Sequence, residues 1–304
     1  MELFYTLDEF AKTGYHTSAA LGFFDGVHLG HRTVIGNAVQ NKGGLHSVVL
    51  TFSEPPAKAL TGAVSPVLTT NEEKQLILEA MGVDAVVFAD FSALRDMSPR
   101  DFVRIVLKEK LHAKKVFCGF NYHFGSKGAG GTGDLLRLCA QQGIAAQVSE
   151  PVCCDGEIVS STRIRRCLKE GRINEASKML CRPYTLFGEV CAGNHIGTAL
   201  GFPTLNFPID LSCIVPRYGV YASEILVDTK VYRGATNIGV HPTFKETPTP
   251  LCETFLLDFE GDELYDKKVR CRLLRFIRPE KKFSSLEELQ AQIEEDIKTI
   301  RRVE

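Results

Sequence analysis

In the first half of the chain, short apolar runs alternate with stripes of helical period. In the second half, β-rich runs follow one another with no helix between them. Ser18 to Phe23 predicts a strand, and His31 to Asn41, with Val34, Ile35, Ala38 and Val39 on one face, predicts a helix. His46 to Phe52 is a second strand. Asn71 to Met81 is a helix with acids in its first turn and Gly82 just past its end. Ala85 to Phe88 is a third strand. Ser98-Pro99-Arg100-Asp101 opens a helix, with Ser as cap, Pro at the first helical position and an acid in the first turn. Lys115 to Gly119 and Ile144 to Val148 are the fourth and fifth strands, separated by a helix through Leu135 to Cys139. This alternation predicts an α/β unit, a parallel sheet covered by helices on both faces, with ligands at the carboxyl ends of its strands.

Val152 to Val159 reads as a hairpin turning at Asp155-Gly156. Ser160-Ser161-Thr162 then caps a helix running from about Arg163 to Glu170 and stopped by Gly171. After Arg182-Pro183 the pattern changes, which places a domain boundary there: residues 1–182, then 183–304. The segments Tyr184 to Cys191, Val220 to Val227, Val231 to Ile238, Glu253 to Phe259 and Val269 to Ile277 predict an antiparallel barrel. One helix closes the chain, from about Ser285 to Arg301. Its stripe of Leu286, Leu289, Ile293, Ile297 and Ile300 is a docking face for the barrel. Pro242 to Pro250 reads as a loop.

The 304 residues suit about two domains. A net charge of −1 gives no basic field for nucleic acid or anionic membrane, and no apolar run is long enough to span a bilayer. The first residues, Met1 to Asp8, carry acids and no basic region, unlike a signal peptide. The ten cysteines have no framework spacing and read as reduced, mostly buried thiols of a cytoplasmic protein. The surface composition fits a monomer or a weak homo-oligomer.

The chemistry concentrates in two stretches. Gly22-Phe23-Phe24-Asp25-Gly26-Val27-His28-Leu29-Gly30-His31 sits where the first strand hands over to a helix. Outward N–H groups and the helix dipole favour an anion there, small residues admit a bulky ligand, and two histidines stand ready for charge on a phosphate. Such a pair could also be surface decoration or half of a metal site, although nothing nearby completes a zinc set. Ser160 to Arg165, with Arg163 and Arg165, is equally a plain cap with a basic face or a phosphate site. In the second half, Gly193 to Asn206 carries Gly193, Gly197 and Gly201 and ends in Pro203-Thr204-Leu205-Asn206. Glycines expose N–H groups to phosphate, and Thr204 and Asn206 offer the hard oxygen ligands that Mg²⁺ accepts. By composition alone the stretch reads first as an ordinary loop. Glu253 opens an apolar strand; facing that loop, it could take a proton from a substrate hydroxyl.

Taken together, these motifs resemble the bifunctional riboflavin kinase/FAD synthetases of prokaryotic type. Gly22 to His31 resembles the nucleotidyltransferase signature, Gly119 to Gly125 the second motif and Ser160 to Arg165 the third. Gly201 to Asn206 resembles the kinase loop, and Pro216 to Ala222, Asn237 to Gly239, Pro242 to Phe244, Glu253, Asp258-Phe259 and Arg278 to Phe283 continue the likeness. The resemblance implies a Rossmann-like adenylyltransferase domain followed by a kinase barrel with a C-terminal helix. ATP and riboflavin would give FMN, with Glu253 as base, Thr204 and Asn206 on Mg²⁺, and Gly193, Gly197, Gly201 and Arg278 contacting ATP or flavin. A second ATP and FMN would give FAD, with His28 and His31 at the transferring phosphate. Gly22, Phe23, Asp25, Gly26, Asn121, Ser161, Thr162 and Arg165 would then bind ATP. There are three departures from the family, at four positions. Pro55 stands where a histidine is usual, Ile196 and Thr198 stand where the kinase loop often has arginines, and Asp266 stands where glycine is frequent. Two narrower readings are a riboflavin kinase with little FAD synthetase activity, and a flavin- or nucleotide-binding regulator.

Overall fold

The computed structural model describes residues 1–304 except 57, 59–61, 63–65, 192–203, 241–248, 260–263 and 304. The chain divides into two compact units, Met1–Ser161 and Thr162–Glu304.

In the first unit, strands β1 (Glu2–Phe4), β2 (Thr17–Leu21), β3 (His46–Phe52), β4 (Ala85–Ala89), β5 (Ala113–Gly119) and β6 (Ala145–Ser149) form one parallel sheet in the order β1-β4-β3-β2-β5-β6. Side chains alternate between its faces. Ala19, Leu21, Val48, Leu50, Val87 and Val116 bury against the helical segment Phe102–Lys110 and α4 (Thr132–Gln141). Ala20, Val49, Val86, Phe88 and Phe117 bury against α2 (Leu29–Gln40) and α3 (Asn71–Ala80). With both faces covered, every residue of β2 and β4 is buried. The sheet order reverses direction between β2 and β5, so the carboxyl ends of these two strands flank the switch point where such sheets hold ligands.

The predicted strands and helices of this unit all occur, with ends shifted by a few residues. The edge strand β1 was not anticipated; it adds only three residues beside β4. Ser98 does cap a helix with Pro99 behind it, but the body from Phe102 to Lys110 is wound as a π-helix. The hairpin forms between β7 (Cys153–Cys154) and β8 (Glu157–Ile158), with Asp155 at φ 53° and Gly156 at φ 81°, the left-handed pair of a tight hairpin turn.

Helix α5 (Ser161–Glu170) starts at the last residue of the first unit, and the second unit continues with α6 (Ile173–Leu180), which was not expected from the sequence. An antiparallel sheet follows, ordered β10-β13-β12-β11-β14-β9, from β9 (Tyr184–Glu189), β10 (Thr204–Pro208), β11 (Gly219–Val227), β12 (Lys230–Val240), β13 (Pro250–Leu256) and β14 (Lys268–Arg278). Strand β10 replaces the loop expected around Thr204. The two edges meet: Cys191, just past β9, bridges Asn206 of β10 and donates its N–H to the Asn206 carbonyl at 2.8 Å. Gly188 makes this closure possible, since a Cβ there would lie 2.1 Å from the Phe207 ring. Inside, Ser223, Thr236 and Thr254 are fully buried and pair through their hydroxyls at 2.6 and 2.8 Å, so the polar interior is satisfied within itself.

The closing helix α7 (Leu286–Ile300) starts with a reciprocal cap: Ser285 accepts from the Glu288 N–H, and Glu288 accepts from the Ser284 N–H and hydroxyl. Its stripe docks in part. Ile300 is buried in a cluster with Val220, Ala222 and Val303, and Leu289, Ile293 and Ile297 are half-buried, but Leu286 remains 60% exposed. All ten cysteines are free thiols. Five of them (Cys118, Cys139, Cys167, Cys252 and Cys271) are buried, a smaller share than the sequence suggested.

Candidate active sites

The first site is the turn between β2 and α2. Phe24 and Val27 both have positive φ (54° and 40°), unusual for side chains with a Cβ, and Gly26 stands at 85°. Gly22 lies under the folded-back Phe24, whose ring would be 2.9 Å from a Cβ at that position. A turn this strained persists only where its surroundings fix it. Donors from four distant places do so. The Thr51 hydroxyl and the Lys74 ammonium both reach the Phe23 carbonyl at 2.9 Å. The Leu68 N–H donates to the Asp25 carboxylate at 2.8 Å, and the Ser161 hydroxyl to the Asp25 carbonyl at 2.9 Å.

His28 caps α2: its Nδ1 accepts the His31 N–H at 3.4 Å. An accepting Nδ1 carries no proton, so the proton of this imidazole sits on Nε2. The His28 and His31 rings stack with centroids 3.6 Å apart, and Phe24 meets the His31 ring edge-on at 5.3 Å. Burial lowers the His28 pKa to about 4. Burial, and then the charges of His28 and Lys74, hold His31 well below the ordinary histidine value. Both rings are therefore neutral at physiological pH, so each can offer a hydrogen bond but carries no charge. The His31 Nδ1 is buried without a protein partner.

Asn121 follows β5, which pairs with β2, so it lies at the adjacent strand end. It is exposed, and its carbonyl accepts from the His123 Nδ1 at 3.0 Å. Pro55, at the position of the usual family histidine, follows β3 on the other side of β2 and is half-buried. Thr162 and Arg165 belong to the second unit, on α5: Thr162 is exposed and Arg165 half-buried.

Sequence reasoning missed Lys74. It is 1% exposed, burial pushes its pKa down to about 8 against the pull of Asp25, and its ammonium lies 4.5 Å from the centre of the Phe23 ring. The signal was available: Lys74 shares the buried side of α3 with Leu78, four residues on, where a cation has no reason to sit unless something needs it.

The second site is a row across the barrel wall. In the β10–β13 ladder Asn206 is opposite Glu253, and in the β12–β13 ladder Glu253 is opposite Asn237. Opposite residues of antiparallel strands share a face, so these three side chains project together. Cys252 and Thr254, on either side of Glu253, are fully buried on the other face, while Glu253 itself is half-buried. The Asn206 amide N–H₂ donates to the Thr204 carbonyl and hydroxyl at 3.1 and 3.3 Å. A carbonyl can only accept, which fixes the amide orientation and turns Oδ1 the other way. That Oδ1 is buried and has no protein partner. Asn237 was quoted in the sequence only as part of a longer likeness, and the register is what brings it to Glu253.

Arg278 makes a bidentate pair with the buried Asp296 of α7, at 2.9 and 2.7 Å. Its guanidinium thus fastens the closing helix to β14. Asp266 adopts φ 60°, the left-handed conformation a glycine would take there, so this departure is accommodated. Gly193, Gly197, Gly201, Ile196 and Thr198 lie outside the described residues, as does Pro242 to Pro250 apart from its last two residues.

Comparison with known proteins adds the following. A family model for FAD synthetase matches residues 11–163, and one for riboflavin kinase matches residues 180–304. A bifunctional riboflavin kinase/FMN adenylyltransferase of Listeria monocytogenes is 37% identical over 96% of this chain and 93% of its own. One of Bacillus subtilis is 34% identical over 91% of this chain and 89% of its own. A crystal structure of a macrolide-efflux protein from Streptococcus pneumoniae matches with a TM-score of 0.87 at 29% identity, over 94% of each chain.

Proposed function

The chain belongs to the family of bifunctional riboflavin kinase/FMN adenylyltransferases, and from that premise we propose how its two units divide the work. The protein phosphorylates riboflavin with ATP to FMN, then adenylylates FMN with a second ATP to FAD and pyrophosphate. The observation carrying this reading is the coincidence of two family models with two separate sites, in one order along one chain. The functional boundary is placed near residue 182.

In the kinase, the ribityl 5′-hydroxyl of riboflavin attacks the γ-phosphate of ATP, and Glu253 takes the proton. Asn206 and Thr204 are the residues to hold Mg²⁺. The buried Asn206 Oδ1, which has no protein partner, and the Thr204 hydroxyl two residues before it are neutral hard oxygens of the type this ion accepts. When bound, Mg²⁺ neutralises charge on the ATP phosphates. Gly193, Gly197 and Gly201 are assigned to the phosphates by the family likeness alone. Arg278 acts on this site through Asp296, by holding α7.

In the adenylyltransferase, an FMN phosphate oxygen attacks the α-phosphate of ATP and pyrophosphate leaves. His28, with its proton on Nε2, donates to the oxygens on which charge develops, and His31 stacks against it. Gly22, Phe23, Asp25 and Gly26 form the backbone cradle, and Asn121, Ser161, Thr162 and Arg165 are assigned to ATP. Ser161 does so indirectly, through its bond to the Asp25 carbonyl.

An efflux role, the activity named for the Streptococcus protein, has less support. No helix among the described residues is long and apolar enough to cross a membrane, whereas both family models describe flavin chemistry. Ten free thiols fit a cytoplasmic protein, and a monomer or weak homo-oligomer suffices for two self-contained sites.

The test is incubation with riboflavin, ATP and Mg²⁺ followed by chromatography of the products. FAD is expected. FMN alone would refute the adenylyltransferase half, and neither product would reduce the protein to a binding module.

A further inference from the structure

The buried lysine beneath the histidine turn is not accounted for by substrate binding. Its ammonium is covered, and it spends its donors on the protein: on the Phe23 carbonyl at 2.9 Å and on the Thr51 hydroxyl at 3.5 Å. A neutral apolar residue at this point of α3 would pack at lower cost, since burying a charge is expensive unless it is used. What the charge touches is the first carbonyl of the strained turn. Phe23 O is followed at once by Phe24 and, three residues later, by Val27, the two non-glycine residues of the turn with positive φ. Then comes His28, whose ring is aimed by its cap on α2.

We propose that Lys74 is a positioning residue for adenylyl transfer: its ammonium holds the Phe23 carbonyl, and with it the turn that presents His28 and His31 to the reacting phosphate. The inference rests on the assignment of FAD formation to this site.

Among the described residues, the groups facing the lysine are as follows. Asp25 comes from the turn itself and stabilises the ammonium. His31 comes from α2 and is kept neutral in part by the lysine's charge, and His28 is stacked on it. Strand β3 contributes the uncharged Thr51 hydroxyl, and Glu73 is the neighbour on the lysine's own helix. Two consequences follow from one cation. It grips the carbonyl through a charge-assisted bond. It also opposes protonation of the imidazoles, so that their protons stay where they can be donated. Loss of the ammonium proton above about pH 8 weakens the grip and removes the charge. FAD formation then declines on the alkaline side while FMN formation in the same chain does not.

The experiment uses the full chain. The rates of FMN-to-FAD and riboflavin-to-FMN conversion are measured separately from pH 6.5 to 9.5, for the wild type, Lys74→Met and His28→Ala. For the wild type, the kcat of FAD formation is expected to fall through a midpoint near 8 while the kinase kcat does not. In Lys74→Met, kcat for FAD formation at pH 7 is expected to drop about 10²-fold, the cost of a misplaced reacting group. KM for ATP and FMN should change little, and the alkaline limb should vanish. A merely structural lysine would lower the melting temperature and leave the shape of the pH profile intact. A wild-type profile without an alkaline limb overturns the proposal even if Lys74→Met fails to fold. So does a folded Lys74→Met enzyme that keeps the wild-type kcat or the limb. His28→Ala separates the two levels. If it still makes FAD, the site assignment itself is wrong; if it does not and Lys74→Met is unimpaired, only the role of the lysine falls.

Discussion

The histidine turn and the barrel row solve the same problem by opposite means. In the turn, the groups proposed to act are neighbours in sequence, His28 and His31, while the supports come from Thr51, Leu68, Lys74 and Ser161. In the barrel, the groups come from three strands, Asn206, Asn237 and Glu253, and the strand register places them opposite one another. The ladder hydrogen bonds do that, because antiparallel register decides which side chains share a face. A site built on a strained turn depends on distant side chains, whereas one built on a sheet depends on backbone pairing. Substitutions far from the chemistry should therefore hurt FAD formation more than FMN formation.

The widest separation is expected from direct hits. Glu253→Ala should lower FMN formation by roughly 10²–10⁴-fold, the usual worth of a positioned base, and leave conversion of supplied FMN to FAD intact. His28→Ala should do the reverse. Chromatography of both half-reactions checks this, and equal loss of both reactions in either folded variant would break the comparison.

Asn206→Ala comes next. It removes the buried Oδ1 while leaving the backbone bridge to Cys191 in place. The Mg²⁺ concentration giving half-maximal FMN formation should rise about 10–100-fold, as when a metal site loses a supporting group, and the Mg²⁺ dependence of FAD formation should not move. An unchanged requirement for Mg²⁺ in the kinase reaction would remove Asn206 from the metal.

The same contrast explains what could be read from the sequence. His28 and His31 were legible because the turn is local: an apolar run, Asp25-Gly26 and a helical stripe follow within a few residues. Lys74 was not, because nothing in the 22–31 stretch says which helix lies beneath it. Glu253 and Asn206 were legible as residue types. Their alignment was not, since it needs the register of β10, a strand that reads as loop beside so many glycines. Asn237 joined the row for the same reason. Leu286 shows the reverse error, a periodic apolar position left exposed because α7 seats only from its second turn onward.

A smaller effect tests the neutrality of the histidine pair. The His28 pKa in the folded protein is lowered from 6.5 to about 4, and that of His31 is lowered as well. Between pH 6.5 and about 4 the unfolded chain takes up protons on these rings and the folded chain does not. Their contribution to stability is therefore complete above 6.5 and declines as pH falls toward 4. NMR titration of the His28 ring should give a midpoint near 4, and denaturant unfolding should show the parallel loss. A midpoint at the ordinary histidine value would mean that the ring is open to water and that its Nδ1 is not the cap of α2.

The smallest change is expected at Pro55. This residue follows β3, the parallel neighbour of β2, and its carbonyl accepts from the Lys58 N–H at 2.9 Å. A histidine there would stand at the same end of the sheet as His28 and would add a donor beside the one proposed for the phosphate. In the proposed mechanism His28 already donates to that phosphate, so the added donor meets a charge that is satisfied in part. Pro55→His should thus raise the rate of FAD formation only a few-fold, while release of the ring's constraint on the unfolded chain costs about 1 kcal/mol or less of stability. The measurement is kcat for FMN-to-FAD conversion, with the kinase reaction as internal reference. A gain well beyond tenfold would show that the pair is insufficient on its own. The histidine turn would then depend on its neighbours for chemistry as well as for support.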